Sequence, residues 1–294
     1  MEITSELLEQ LQGISISTLR RRLQCLRPEG DRLPRMRRRG RTRNTVQAQV
    51  PVGVIPWDEP EPGHFEVDLV HHGRPGDDGN LVYTIQFIDV LTGWSERFAI
   101  LGHTFSSMWR VFRDFSQHCP IPVREVHSDN GPEFMNELLL AYFGEKSQDA
   151  LFSRGRCGHS NDNRFVEQKN YTLVRAYLGN LYLHTRQHAT LLNELYADMW
   201  LYYNFFQPVL RQIERTVVIK PNGICRIVRK QDEAKTPLDR LLSAKPPLSR
   251  TTSQHLIALY DHTNPRVLKA KFHAQLRRLY QFALQDDGKE KGPR

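Results

Sequence analysis

The sequence predicts an α/β fold: a mixed sheet with helices on its faces, flanked by a small helical N-terminal segment and a mainly helical, basic C-terminal region. Three observations carry this reading. From residue 64 three short alternating segments follow one another across short turns, helical stretches and further strands then alternate, and Arg- or Pro-rich sequence precedes the block. With 294 residues, 39% hydrophobic and 25% charged, the chain can bury a sizeable core. No segment approaches the ~18 apolar residues of a membrane span. The start, MEITSELLEQLQG, lacks a signal peptide's basic and apolar regions, so a cytoplasmic protein is expected. Cys25, Cys119, Cys157 and Cys225 lie far apart without a CxxC pair, which argues for reduced thiols rather than a disulfide framework or zinc knuckle.

Taken in order, residues 5–27 read as helix, turn and helix, with Gly13 at the break, Ser17 as N-cap, and Leu19, Leu23 and Leu26 at helical spacing. The segment, within residues 1–27, resembles the last two helices of a helix-turn-helix, a truncated form of that module, with Arg20, Arg21 and Arg22 on the second helix as candidate DNA contacts. Residues 28–62 read as a linker. Its DRLPRMRRRGRTRN stretch places Arg37, Arg38, Arg39 and Arg41 on an arm suited to a phosphate backbone, and VPVGVIPWDEPEPG is broken by prolines.

The core, 63–206, opens with HFEVDLV, LVYTIQFIDV and SERFAIL, three strands of an antiparallel meander. TFSSMWRVFRDFSQHC is a helix with Met108, Val111, Phe112 and Phe115 on one apolar face. A strand in PVREVHSDNG, a helix in PEFMNELLLAYFG with Pro132 near its start, and a strand in ALFSR follow. Long helices are predicted from about Arg164 to Leu183 and from about Gln187 to Phe206. This element order is that of the ribonuclease-H-like fold. In the last piece, 207–294, TVVIKPNGICRIVRK suggests a hairpin about Asn222-Gly223, and Asn264-Pro265 starts a helix carrying Leu268, Phe272, Leu276 and Leu279.

Three carboxylates stand out. Asp68 lies mid-strand, opposite the face of Phe65, Val67 and Leu69; Asp129 closes the fourth strand; Glu167 sits early on a long helix. In such a sheet the first and fourth strands are central neighbours, so all three acids can converge. Carboxylate oxygens are the hard ligands that Mg²⁺ or Mn²⁺ takes, and two such ions serve in-line displacement at phosphorus. Glu66 shares Asp68's strand face and is a candidate supporting group. Asp89 reads as a structural turn residue, and Asp162 is a rival third ligand. Asn130 and Gly131 suit a tight turn with positive φ. His71-His72 and Cys157 with His159 lack a second pair at zinc-ligand spacing.

The strings HFEVDLV, HSDNGPEF and SNDNRFVEQKN resemble the catalytic core of the Asp-Asp-Glu transposase and retroviral-integrase superfamily, over about residues 63–206. The resemblance implies catalytic, metal-binding roles for Asp68, Asp129 and Glu167, two Mg²⁺ or Mn²⁺ ions, and DNA 3′-end cleavage followed by strand transfer. It also implies element ends and target DNA as partners, a homo-oligomer on DNA, and DNA contacts from Lys169 and Arg175. The zinc module of retroviral integrases is absent and their C-terminal barrel is not evident, which points to a bacterial insertion-sequence type. A stand-alone nuclease of the same fold and a truncated or domesticated DNA-binding protein remain alternatives. Charge supports a polyanionic partner: the net of +8 resolves into −5 for 63–206, +10 for 207–294 and +3 for 1–62.

Overall fold

The structure, a computed structural model, describes residues 14–18, 45–73, 81–131, 133–135, 137–143, 150–157, 159–219 and 225–290. The chain divides into two units, Met1–Asn44 and Thr45–Arg294. In the first, residues 16–18 form a helical turn, and Thr18 N–H donates to Ser15 Oγ at 3.3 Å. The cap therefore falls on Ser15, and the expected cap Ser17 lies inside the turn. Arg20, Arg21, Arg22, Arg37, Arg38, Arg39 and Arg41 lie outside the described residues.

The second unit is built on a five-stranded sheet. Strands β1 (His64–His71), β2 (Val82–Asp89) and β3 (Ser95–Leu101) form the expected antiparallel meander. β4 (Glu125–Ser128) joins β1 in parallel, and β5 (Leu151–Arg154) joins β4 in parallel, giving the order β3-β2-β1-β4-β5. This is the ribonuclease-H-like arrangement, an α/β fold with a helical C-terminal region. The β2–β3 turn is fixed by buried Asp89, which accepts from Thr92 N–H at 2.8 Å, Thr92 Oγ1 at 2.6 Å and Gly63 N–H at 2.7 Å.

One face of the sheet is apolar. Phe65 and Val67 of β1 and Ile85 and Phe87 of β2 bury against helix α2 (Phe105–His118), whose Met108, Val111, Phe112 and Phe115 form the predicted stripe. Thr104 caps α2 by accepting from Ser107 N–H. A short helix, α1 (Thr45–Gln49), leads into a segment that covers the edge of β5. Gly53 N–H donates to Arg154 O and Arg154 N–H to Pro51 O, both at 2.9 Å, while Val50 and Ile55 are buried. The proline-broken stretch thus packs on the core, because an edge strand leaves a row of backbone groups that need partners.

The other face is covered by α4 and α5. Helix α4 starts as Arg164–Lys169, widens into a π-helical turn at Asn170–Arg175 and closes with Ala176–Leu178. It ends five residues before the expected Leu183 because Gly179 takes φ 55° as a C-cap. Leu183 is buried instead in an extended segment, with Val82 N–H donating to its carbonyl and its own N–H donating to His72 O. Helix α3 is also shorter than expected, Glu137–Ala141, because Gly131 O accepts from Phe134 and Met135 N–H and turns the chain first.

Helix α5 (Arg186–Phe205) opens with a capping box between Thr185 and His188. It runs along the free edge of β3. Asn193 bonds the N–H and C=O of Ala99, and Asn204 those of Ser95, so side-chain amides complete the ladder. Beyond it come the hairpin β6 (Gln212–Ile219) and β7 (Cys225–Gln231), then α6 (Pro237–Ser243), α7 (Arg250–Asp261) and α8 (Pro265–Glu290). Asn264 caps α8 by accepting from Arg266 N–H at 3.0 Å. Leu268, Phe272 and Leu279 are buried, Phe272 and Leu279 in a core shared with α5, and Lys271 Nζ lies 2.9 Å from Asp198. This basic helix is therefore a structural layer of the core as well as a source of charge. No described helix is long and apolar enough to cross a membrane.

Candidate active site

Glu66 and Asp68 both project from β1 on the face turned to α4. In the β1–β4 register Val67 pairs with Ser128, so the next step along both strands brings Asp68 beside Asp129. Glu167 follows on the first turns of α4. The three acids are near enough to act on one another. Asp68 is raised to about 6, first by burial and then by the charges of Asp129 and Glu167, against the pull of Leu69 N–H and Asn170. Glu167 is raised by burial and by Asp129.

Each acid is held differently. Asp68 Oδ1 accepts from Leu69 N–H at 2.8 Å, and Oδ2 accepts from the Asn170 amide at 2.7 Å. Asn170 begins the π-helical turn. Exposed Asp129 accepts from Gly131 N–H at 2.8 Å through Oδ1. Gly131 does not have the positive φ expected of it, and neither does Asn130. A Cβ there would lie 2.5 Å from Glu133 Oε1 and 2.9 Å from Asp129 Oδ1, so a larger residue would displace the ends of these two carboxylate side chains. Asn130 ties the turn to β5, donating to Gly155 O at 2.8 Å and accepting from Arg154 Nη1 at 2.8 Å.

Glu66 locks the helix that carries Glu167. Asn163, at the N-cap of α4, makes no side-chain capping bond, and buried Glu66 supplies the missing acceptor from the sheet. Its Oε2 accepts from Phe165 N–H at 2.7 Å and Val166 N–H at 2.9 Å. Burial pushes this carboxyl up to about 7 although both N–H groups and the charges of Arg164 and Arg211 favour its ionised form. Asp162 is engaged elsewhere. Arg156 bonds it through Nη2 at 2.8 Å, Nε at 3.1 Å and backbone N–H at 2.9 Å, which holds it down to about 2 and fastens the loop before α4.

Glu133, Gln86 and Arg97 were not singled out by the sequence. Glu133, half-buried, is raised by burial and then by Asp129, so a fourth carboxyl borders the site; its place inside HSDNGPEF was the available signal. Gln86 pairs with Asp68 and Arg97 with Gln86, forming a row across three strands. Both are buried, and neither the Gln86 amide nor the Arg97 guanidinium has a hydrogen-bond partner among the described residues. The guanidinium lies 5.6 Å from the Tyr196 ring centre and 5.7 Å from that of Tyr203. Lys169 is half-buried, pushed down to about 8 by burial beside Arg211 and Arg97, and Arg175 is half-buried near His72. His72 bonds Thr84 Oγ1 at 2.7 Å and is lowered to about 3, which keeps it neutral within the core.

No protein-family model matches the chain. It is 31% identical over 219 residues to the uncharacterized protein y4rM of Sinorhizobium fredii, an overlap that takes in 74% of this chain. The chain spans 61% of that relative's length. Among solved structures it is similar to a chain of a simian T-cell lymphotropic virus intasome bound to the PP2A regulatory subunit B56 gamma. That match has 16% identity and a TM-score of 0.39, covering 54% of this chain and 52% of the other. It is also similar to the HTLV-2 integrase catalytic core domain in complex with magnesium, at 16% identity and a TM-score of 0.36, covering 51% of this chain and 91% of that one.

Proposed function

We propose that the chain is a metal-dependent DNA transposase that cleaves the 3′ ends of a mobile element and joins them to target DNA. The supporting observation is the approach of Asp68 in the middle of β1, Asp129 just past the end of β4 and Glu167 near the start of α4, where Asp129 raises the proton affinity of both other acids and Glu167 that of Asp68. Carboxylates that repel one another in this way are a donor set for hard divalent cations. The residues present therefore fit the two Mg²⁺ or Mn²⁺ ions that the sequence resemblance implies. When bound, such ions activate the attacking oxygen and neutralise charge on the leaving one.

The protein's own groups prepare that set. Asn170 fixes the orientation of Asp68 Oδ2, Gly131 N–H engages Asp129 Oδ1, and Glu66 anchors the helix bearing Glu167. DNA and a second copy of the chain are the partners this reading requires, since two ends must be joined together.

The experiment uses Glu167→Gln with a duplex carrying the gene's flanking terminal sequences, in Mg²⁺ and in Mn²⁺. Wild type is expected to nick and then join. The variant should lose both by about a thousandfold, the several kcal/mol that a metal site contributes. Undiminished cleavage by the variant removes the triad, and cleavage without joining by the wild type makes the protein a nuclease.

A further inference from the structure

A cleft of about 510 Å³ opens beside the acidic centre, between α4 and the β6–β7 hairpin. Arg164, Phe165 and Gln168 line it from α4, within one helical turn of Glu167, and Trp57, Arg211 and Arg229 line it from the other sides. Its lining contains three arginines, two aromatic rings and no carboxylate. The Phe165 ring sits between two guanidinium groups, with Arg211 Cζ at 4.5 Å and Arg164 Cζ at 4.9 Å from its centre.

The polar groups facing the cleft are open to a ligand. Among the described residues, the guanidinium groups of Arg211 and Arg229, the Trp57 indole N–H and the Gln168 amide make no hydrogen bond. Arg211 is half-buried, and burial lowers it to about 10 against the charges of Asp89, Glu66 and Asp232, which favour its protonated form. The free N–H donors of such a planar guanidinium can make charge-assisted, bidentate bonds to an incoming anion.

We infer that this cleft receives one unpaired nucleotide of a DNA strand, its base stacked on Trp57 or on the guanidinium planes that flank Phe165, and its phosphate held by Arg211 and Arg229. Arginine planes and aromatic rings are the surfaces on which unpaired bases stack, and the planar guanidinium suits bidentate contact with phosphate. Glutamine amides can donate to and accept from an exposed base edge, which a paired base in duplex DNA would not offer here. The cleft would thereby fix the strand next to the scissile position. The inference rests on the DNA-processing reading but is tested without catalysis.

The probes are a fluorescein-labelled oligothymidylate and a blunt duplex of equal length, titrated in EDTA and followed by fluorescence anisotropy. Arg229→Ala alters an exposed side chain, and Phe165→Leu keeps an apolar group. Each is expected to weaken single-strand binding about tenfold while duplex affinity stays within about twofold. Arg211→Lys, which retains the charge and loses the planar fork, should fall in the same direction. Single-strand affinity unchanged in both Arg229→Ala and Phe165→Leu overturns the inference, as does an equal loss for duplex, which would mark a general phosphate track. If metal-dependent cleavage proves absent while this binding pattern holds, the transposase reading fails and the cleft stands; with intact cleavage and an insensitive cleft, the cleft falls and the transposase reading stands.

Discussion

The two faces of the central sheet are made from the same strands and do opposite work. Toward α2 the strands present Phe65, Val67, Ile85 and Phe87, whose rings interlock with the helix. Phe87 stacks on Phe115 at 4.0 Å, and Phe65 meets Phe115 edge-on at 4.9 Å. Toward α4 and α5 the intervening residues are Glu66, Asp68, Gln86 and Arg97, charged or polar groups carried on buried backbone. The apolar face supplies stability. The polar face spends part of it, holding carboxylates at raised pKa and a guanidinium without hydrogen bonds. Strand alternation lets one set of backbone hydrogen bonds serve both.

Substitutions on opposite faces should separate these roles. Phe115→Ala removes the ring shared by Phe65 and Phe87, and urea unfolding should show a loss of about 3–5 kcal/mol. Asp68→Asn, on the other face of the same sheet, should leave stability unchanged or raised in metal-free buffer, because it deletes a charge that repels Asp129 and Glu167. A large stability loss in Asp68→Asn would show that the polar face also carries the fold.

Glu96 is the exception that sharpens the contrast. It pairs with Phe87 on the apolar side and accepts from the indole N–H groups of Trp94 at 2.8 Å and Trp200 at 2.9 Å, both through Oε1. Burial raises it from 4.5 to about 7 despite those bonds. A carboxyl whose folded pKa is raised gives stability that is complete below its unfolded pKa and is lost as pH climbs through the folded value. Wild type should therefore melt lower at about pH 8 than at about pH 5. Glu96→Gln keeps an oxygen for both indoles and should remove its own share of this difference, roughly 2 kcal/mol, while Glu66 and Asp68, also raised by burial, supply the remainder. Parallel pH dependence in the variant would place the titration elsewhere.

Much of this division was legible in the sequence, and what was missed has physical causes. Period-two alternation in HFEVDLV and the stripe of Met108, Val111, Phe112 and Phe115 located the apolar face because apolar side chains recur there at the period of each element. Asp68 and Asp129 were visible as acids at strand positions that adjacent strands bring together. Arg97 was not visible, since alternation in SERFAIL assigns it to an open face, and the sequence does not show that α5 closes over it. Glu66 capping α4 from 99 residues away is a tertiary bond without local signature. Gly179 did carry a local stop signal, but Leu181 and Leu183 continue the apolar pattern beyond it, and their burial comes from an extended segment instead. Asn130 and Gly131 were assigned positive φ by residue type, whereas the turn has ordinary φ at both and is held by side-chain bonds of Asp129 and Asn130.

The smallest expected effect concerns how the polar face is tuned. Asn170 stands where α4 widens into its π-helical turn, and its amide donates to Asp68 Oδ2 at 2.7 Å. A π-turn inserts a residue into the helical register and redirects the side chains that follow. Here the turn begins at the residue that reaches the strand acid, three positions after Glu167 on the same helix. Asn170 carries no charge, so its contribution lies in orienting Asp68 and lowering that acid's proton affinity. Asn170→Ala should reduce metal-dependent DNA cleavage about tenfold, with the apparent metal requirement shifted to higher concentration, as for other groups that orient a ligand. Because the lost donor favours the ionised carboxylate, the acid limb of the activity profile should also move to higher pH. Asn170→Asp cannot donate to the carboxylate and adds a charge beside it, so it should fall below the alanine variant. Equal activity in both variants and wild type would mean that Asp68 is oriented by Leu69 N–H alone.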